Sequence, residues 1–441
     1  MRIHLIAIGG KVMHNLALEL AAQGHHVSGA DDEIYDPARS RLAAAGLLPQ
    51  EGWDAGRINR DIDLIILGMH AHLDNPELIR AKELGIEVVS FPEYVGRYST
   101  SPTKIVIAGS HGKSTTTAMI MHALKQLGHD ADYLLGGLLD GFDRMVRLSG
   151  APVMIIEGDE YLSSRIDPVP KMLHYHGELV VITGVEWDHK NVFPTEDIYI
   201  SQFDDLITQC AEEQATIIWY KDDPHLGRII NQKESLKERA YDRYTLQDGQ
   251  VRTDEGSYPM QIFGDHNMAN LKAASLVCRH LGIPEKDFLT AMSSFRGVGK
   301  RLELISEDPI VYLDYAHAPS KVRATVQAVR QAYAEKKILA VYELHTYSSL
   351  SEDFLPQYTG TLDEADHAMV YFDHHALQIK RLPNLDKDKV RSGFERDDLQ
   401  VISDRTELGA ALIDLKGSYD IILMMSSGTF GGLDVMEIIH A

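Results

Sequence analysis

One stretch constrains this chain more than any other: a short apolar strand that runs into a glycine-rich turn and then a helix. Lys104-Ile105-Val106-Ile107-Ala108 is followed by Gly109-Ser110-His111-Gly112-Lys113-Ser114, and a helix is expected from near Thr115. A turn of this kind aims successive backbone N–H groups at one point, and the helix N-terminus adds partial positive charge there. That makes a phosphate cradle. Lys113 can reach β- and γ-phosphates, and the Ser114 hydroxyl can hold Mg²⁺. The turn is shorter than the usual GxxxxGK[ST] pattern, and a plain glycine-rich strand-to-helix turn is the competing reading. The order of strand, loop, lysine, hydroxyl and helix favours the cradle.

Composition narrows the partners. The 441 residues suggest two or three domains at roughly 100–200 residues each. With 43 basic against 65 acidic residues, the formal net charge is −22, which disfavours nucleic acid and anionic membranes. An anionic substrate then needs focused groups: loop amides, a divalent cation, single Arg or Lys side chains. Cys210 and Cys278, the only cysteines, sit in apolar helical contexts and read as buried thiols in a reducing compartment. No apolar run approaches the roughly 18 residues of a membrane span. The chain opens directly on a strand, so no signal peptide and a cytoplasmic location are expected.

Residues 1–101 read as a Rossmann-like α/β domain. The strand Ile3 to Ile8 runs into Gly9-Gly10, a helix follows over Val12 to Gln23, and Val27 to Ala30 ends at Asp31-Asp32. Ala7 and His14 stand where a dinucleotide fingerprint places glycine, so a bare βαβ packing unit and a nucleotide site both remain open. The strand Asp63 to Gly68 opens onto Met69-His70-Ala71-His72, at an edge where α/β ligands bind; two solvated loop histidines are the alternative. Asn75-Pro76-Glu77 reads as a helix start. Residues 98–103 read as a linker into a central domain, 102–297. There Val153 to Ile156 delivers Glu157-Gly158-Asp159-Glu160, and Leu179 to Thr183 leads to Glu186-Trp187-Asp188-His189. Acids at strand ends beside a phosphate loop suit Mg²⁺, which takes oxygen ligands; solvated acidic loops are the alternative. His266-Asn267-Met268-Ala269-Asn270 opens an alanine-rich helix. Asn267 reads as a cap and Asn270 as a reader of an adenine edge.

Residues 298–441 read as a third open, largely parallel α/β domain behind a basic hinge, Gly297-Val298-Gly299-Lys300-Arg301. Its strand ends carry Asp314-Tyr315-Ala316-His317-Ala318-Pro319, Glu343-Leu344-His345-Thr346-Tyr347 and Ser426-Ser427-Gly428-Thr429-Phe430-Gly431-Gly432. A second substrate would dock at such loops.

Taken in order, these motifs resemble those of the Mur ligases of bacterial cell-wall synthesis. The matching stretches are Gly109 to Thr117, Glu157 to Glu160, Glu186 to His189, His266 to Asn270, Lys300-Arg301 and Asp314 to Pro319, and they span essentially the whole chain. Two kinds of family member compete. One adds L-alanine to UDP-N-acetylmuramate in de novo synthesis. The other adds the tripeptide L-alanyl-γ-D-glutamyl-meso-diaminopimelate in recycling. The run from Tyr161 through Asp167-Pro168-Val169-Pro170-Lys171-Met172-Leu173-His174-Tyr175, and the turn Ser426 to Gly432, look like the recycling kind. The loop Glu343 to Tyr347 matches neither kind.

The resemblance implies a mechanism. ATP phosphorylates the lactyl carboxylate of the sugar, and the acceptor amine attacks the acyl phosphate. Lys113 would bind phosphates. Ser114 and Glu157 would hold one Mg²⁺, and His189 with Glu157 a second. Gly109, Ser110, His111, Gly112, Thr115, His266, Asn267, Asn270, Arg301, Asp314 and His317 would serve the nucleotide, His317 beside the reacting groups. Gly10, Asp31, His70, His345 and Gly428 would serve the other substrates. Domain closure near Arg296 to Lys300 and a monomer or weak homodimer are expected. Lys113→Ala is expected to abolish phosphate release with a normal melting curve. The rival readings are a non-catalytic nucleotide-responsive binding protein and a folylpolyglutamate-type ligase.

Overall fold

A computed structural model describes residues 1–139, 141–187, 192–299 and 301–440. The chain divides into two compact units: residues 1–185, 200–242 and 273–287 form the first, and 186–199, 243–272 and 288–441 the second. No helix among the described residues is long and apolar enough to cross a membrane.

The first unit holds two sheets. The smaller one has four parallel strands in the order His26–Ala30, Arg2–Ile6, Leu64–Leu67, Glu87–Ser90. Its central strands are buried without alternation from Ile3 to Ile6 and from Leu64 to Leu67, with His4 the one polar residue among them, as suits parallel strands covered on both faces. The helix Lys11–Ala22 begins right after the first strand, without a side-chain cap. The helix Pro76–Leu84 starts as its sequence signals. The Asn75 side chain accepts from the N–H groups of Glu77 and Leu78, Pro76 sits in the first turn, and Gly85 ends it in the left-handed region.

The larger sheet has seven strands in the order Lys237–Tyr241, Thr216–Tyr220, Leu179–Ile182, Thr103–Ala108, Val153–Glu157, Asp132–Leu134, Val146–Arg147. After Thr103–Ala108 the chain lays down the three strands on one side of it, the innermost last, and then crosses to the other. That strand is therefore the switch point, where α/β sheets open a ligand crevice. Register places Ile107 opposite Glu157, and Ala108 opposite Ile182. Both cysteines are buried, and burial pushes each thiol up to about 12.

The second unit carries a sheet in the order Glu303–Glu307, Ile310–Asp314, Ile421–Met425, Ile338–Leu344, His367–Phe372, Gln400–Ile402. The first strand is antiparallel and the rest are parallel. Two apolar layers cover its faces, one around Tyr342, Tyr358 and Phe394, the other around Leu408, Leu412 and Ile439. A small antiparallel meander, Leu246–Gln247, Gln250–Thr253 and Gly256–Pro259, was not anticipated from the sequence. Its signal was present: Asp248 and Gly249 both take positive φ, the two-residue hairpin turn that Asp-Gly favours.

Candidate active site

The glycine turn closes as a strapped loop. Helix begins at Lys113, two residues before the expected Thr115, and Gly112 occupies its N-cap with φ +77°. Gly109 has φ +129°, and a Cβ there would collide with the Thr183 hydroxyl. Ser110 N–H donates to Gly184 O at 2.8 Å, and Thr183 Oγ1 donates to the carbonyls of Ala108 and His111. The end of the adjacent strand thus fixes the loop's shape. With no side chain at the cap, the first helical N–H groups face the loop mouth, where an anion is favoured. Thr115 is buried in the first turn behind it.

Two contacts organise the polar groups. Ser114 Oγ donates to Glu157 Oε1 at 2.7 Å, and Gly136 N–H donates to Glu157 Oε2 at 2.9 Å. Lys113 Nζ donates to Gly109 O and lies 2.7 Å from Glu160 Oε2, with 13% of the lysine side chain and 1% of the glutamate exposed. Burial works against the ammonium, but Glu160, Asp159 and Glu157 outweigh it and raise the Lys113 pKa. Asp159 in turn pairs with Lys171 at 2.7 Å. Burial there favours the neutral acid, yet Lys171 and Lys113 hold the Asp159 pKa below the usual range. The Ser114 and Glu157 oxygens are hard donors of the kind that would hold a Mg²⁺. Among the described residues no group of three or more His, Cys, Asp or Glu side chains could hold a metal. His189 lies outside the described residues, as do Asp188 and Lys300. Glu160 and Lys171 were not singled out from the sequence. The acidic run marked the place, but nothing in it told which acid faces which cation.

The first-sheet turn lies in the same unit. Ala7 adopts φ +65°, so the position where glycine was expected does take the left-handed conformation, with alanine bearing the strain. His14 folds its Nδ1–H onto Gly10 O at 2.9 Å, and burial lowers its pKa. Asp31 accepts from the N–H groups of Gly9 (2.8 Å) and Asp32 (2.9 Å). Its pKa is raised by burial, which these bonds and His70 only partly offset. Gly10, Asp31 and His70 therefore gather at one sheet edge. Lys11, next to Gly10, donates to Gly136 O at 3.2 Å. Gly136 thus touches the first-sheet turn through its carbonyl and Glu157 through its N–H.

In the second unit, Asp314 uses both carboxylate oxygens internally. Oδ1 accepts from Ala316 N–H (2.7 Å) and Thr325 Oγ1 (3.1 Å), and Oδ2 from Leu302 N–H (2.8 Å). Arg301 stacks over Tyr315, 5.1 Å from the ring centroid. His317 Nδ1 donates to Tyr315 O at 2.8 Å, while Tyr342 and Tyr358 hydroxyls donate to His317 O. Glu343, buried at the end of an otherwise apolar strand, accepts from Ser426 Oγ and from Phe430 N–H at 2.8 Å. His345 Nδ1 lies 3.7 Å from it, and a Cβ on Gly428 would sit 2.6 Å from that nitrogen. Burial favours protonation of Glu343, but His345, Ser426 and Phe430 N–H together lower its pKa. Sequence reasoning named His345 and Gly428 and missed Glu343, although an acid among apolar strand residues was its signal. A cavity of about 440 Å³ lies beside Asp314, Ser426, Gly428 and Thr429. His266, Asn267 and Asn270 fall within the helix Asp265–His280. Asn267 is not its cap: it lies inside the first turn, and its Nδ2 donates back to Phe263 O at 2.9 Å.

Domain-family comparisons match three segments: "Mur ligase family, catalytic domain" over residues 2–101, "Mur ligase middle domain" over 107–278, and "Mur ligase, glutamate ligase domain" over 300–428. The chain is 28% identical to the UDP-N-acetylmuramate–L-alanyl-gamma-D-glutamyl-meso-2,6-diaminoheptandioate ligase of Escherichia coli K12, over 98% of this chain and 96% of that protein. It is 30% identical to the UDP-N-acetylmuramate–L-alanine ligase of Lacticaseibacillus casei BL23, over 83% of each. A murein peptide ligase structure from Psychrobacter arcticus superimposes with a TM-score of 0.66 at 23% identity, covering 100% of this chain and 98% of that one. The chain thus belongs to the Mur ligase family: it is a three-domain α/β, ATP-dependent ligase that forms an amide bond with release of ADP and phosphate, in peptidoglycan synthesis or recycling.

Proposed function

We propose that this ligase joins UDP-N-acetylmuramate to the tripeptide L-alanyl-γ-D-glutamyl-meso-diaminopimelate, the recycling reaction, in the cytoplasm and as a monomer or weak homodimer. The observation that carries this reading is the segment 161–175. The alanine-adding kind usually has a shorter stretch there. Here it forms a closed loop, with Ser163 N–H donating to Val169 O at 2.9 Å and Lys171 N–H to Tyr161 O at 2.9 Å. A ligase named for that tripeptide is also 28% identical over almost the whole chain.

The division of labour we propose assigns the sugar nucleotide to residues 1–101, ATP to 102–297, and the acceptor to 298–441. A carboxylate resists amine attack because its charge is shared by two oxygens. One lactyl oxygen therefore attacks the γ-phosphorus, the bond to the ADP oxygen breaks, and an acyl phosphate forms. The acceptor nitrogen then attacks the acyl carbon, the amine gives up a proton, and phosphate leaves. Most of the catalysis is positioning and electrostatics. Lys113 holds β- and γ-phosphate oxygens, and the loop N–H groups orient them. Ser114 and Glu157 would hold Mg²⁺, which supplies neutralisation of phosphate charge when bound. His189 is proposed as a further ligand. In the second unit, Asp314 holds the turn that carries His317, and Glu343 holds the turn that carries Gly428.

An acceptor panel with UDP-N-acetylmuramate and MgATP, read as phosphate release, tests the reading. Turnover with tripeptide well above that with L-alanine supports it. Faster turnover with L-alanine overturns it in favour of the de novo reaction, which the 30% identity to L-alanine ligases favours.

A further inference from the structure

A second buried cation stands behind the phosphate-binding groups. Lys171 opens the short 3-10 turn Lys171–His174, and only 11% of its side chain is exposed. Its Nζ lies 2.7 Å from Asp159 Oδ2 and over two rings, 5.7 Å from the centroid of Phe91 and 5.6 Å from that of Tyr161. Backbone bonds close the same loop: Met172 N–H donates to Asp159 O at 3.1 Å, and Lys171 N–H to Tyr161 O.

Three carboxylates, Glu157, Asp159 and Glu160, leave one strand end together. Glu157 is engaged by Ser114 and Gly136, and Glu160 by Lys113. Asp159 is the third, and Lys171 answers it. Without that partner the Asp159 carboxylate, 35% of whose side chain is exposed, would compete for Lys113 or for a bound cation, because a partly buried charge that loses its partner is destabilised. The lysine's own position is braced from the first sheet. Phe91 opens the helix Phe91–Tyr98. Ser90 Oγ donates to Asp167 at 2.7 Å, Lys104 Nζ donates to Gly96 O at 2.6 Å, and Gly96 abuts the His174 carbonyl.

We propose that Lys171 is a positioning residue for the nucleotide site: by holding Asp159 it reserves Glu160 for Lys113 and Glu157 for the Ser114 hydroxyl. The proposal rests on reading the Lys113 loop as the ATP site. It joins the first-sheet helix to that site through one side chain.

The test compares wild type, Lys171→Met, Lys171→Arg and the double variant Lys171→Met/Asp159→Asn. Calorimetry with a non-hydrolysable ATP analogue, with and without Mg²⁺, is run well below every melting temperature. Steady-state KM values for ATP and for UDP-N-acetylmuramate are measured alongside. Supporting residues of this kind are worth about tenfold to a hundredfold, so Lys171→Met should weaken analogue binding and raise the ATP KM by that factor. The sugar-nucleotide KM should stay put. Arginine should restore most of the loss, and Asp159→Asn in the double variant should restore affinity by removing the orphaned charge. Analogue binding unchanged in Lys171→Met overturns the proposal, as does a double variant no tighter than the single one. If Lys171→Met does not fold, the double variant decides: near-wild-type affinity supports the proposal and lost affinity overturns it. Wild-type protein that binds no analogue overturns the ATP-site reading and the proposal together. Wild-type binding matched by Lys171→Met overturns the proposal alone.

Discussion

Lys113 Nζ and Glu160 Oε2 stand 2.7 Å apart with the carboxylate almost wholly buried. This revises the expectation that Lys113→Ala keeps a normal melting curve. Removing one partner of a buried pair leaves the other uncompensated, which costs about 3–5 kcal/mol. Lys113→Ala should therefore abolish ATP-dependent phosphate release and also unfold at lower denaturant. Lys113→Met/Glu160→Gln should regain most of that stability and none of the activity. Denaturant titration beside a phosphate-release assay checks both; a single variant as stable as wild type would show the pair to be solvated.

Gly136 fixes the Glu157 carboxylate through its N–H, and a Cβ there would sit 2.5 Å from Glu157 Oε1. Gly136→Ala should push the carboxylate off the Ser114 hydroxyl. Activity should fall about tenfold or more, the scale seen when a supporting group around a metal or phosphate site is lost. Thermal stability should change little, because Gly136 lies in a surface segment. Raising Mg²⁺ should recover part of the loss in the same assay.

Glu343 sets a pH dependence of stability in the acid range. Its folded pKa is lowered from the ordinary 4.5, because the hydrogen bonds and His345 outweigh its burial. A depressed carboxylate means that the unfolded chain binds more protons. Its stabilisation is complete above the unfolded pKa and is lost as pH falls through the folded one. Wild type should lose stability below about pH 4.5. Glu343→Gln should start lower at neutral pH and fall less steeply across that window. Chemical denaturation at a series of pH values measures the difference in slope.

Much of the fold was legible because its signals are local. The helix at Pro76 follows from an asparagine cap and a proline, the core strand Leu64–Leu67 of the first sheet from an unbroken apolar run, and the phosphate loop from glycines between strand and helix. Ala7 shows how far such reading reaches. The glycine-type backbone is present at φ +65° even though the residue is alanine, so the pattern located the conformation and not the side chain. The Asp248-Gly249 hairpin was legible by the same logic and was overlooked.

The chain order of residues was enough to specify which backbone stretches become strands, turns and helices, and which short runs bear acids and cations at strand ends. Those properties depend on neighbours a few positions apart. Which acid meets which cation was decided only when distant segments packed. Lys113 chose Glu160, Lys171 chose Asp159 from beneath Phe91, Ser114 took Glu157, and Asp314 spent its oxygens on Leu302, Ala316 and Thr325. Charge pairing falls off within a few ångströms and is settled by burial, so a linear string of residues leaves it undetermined.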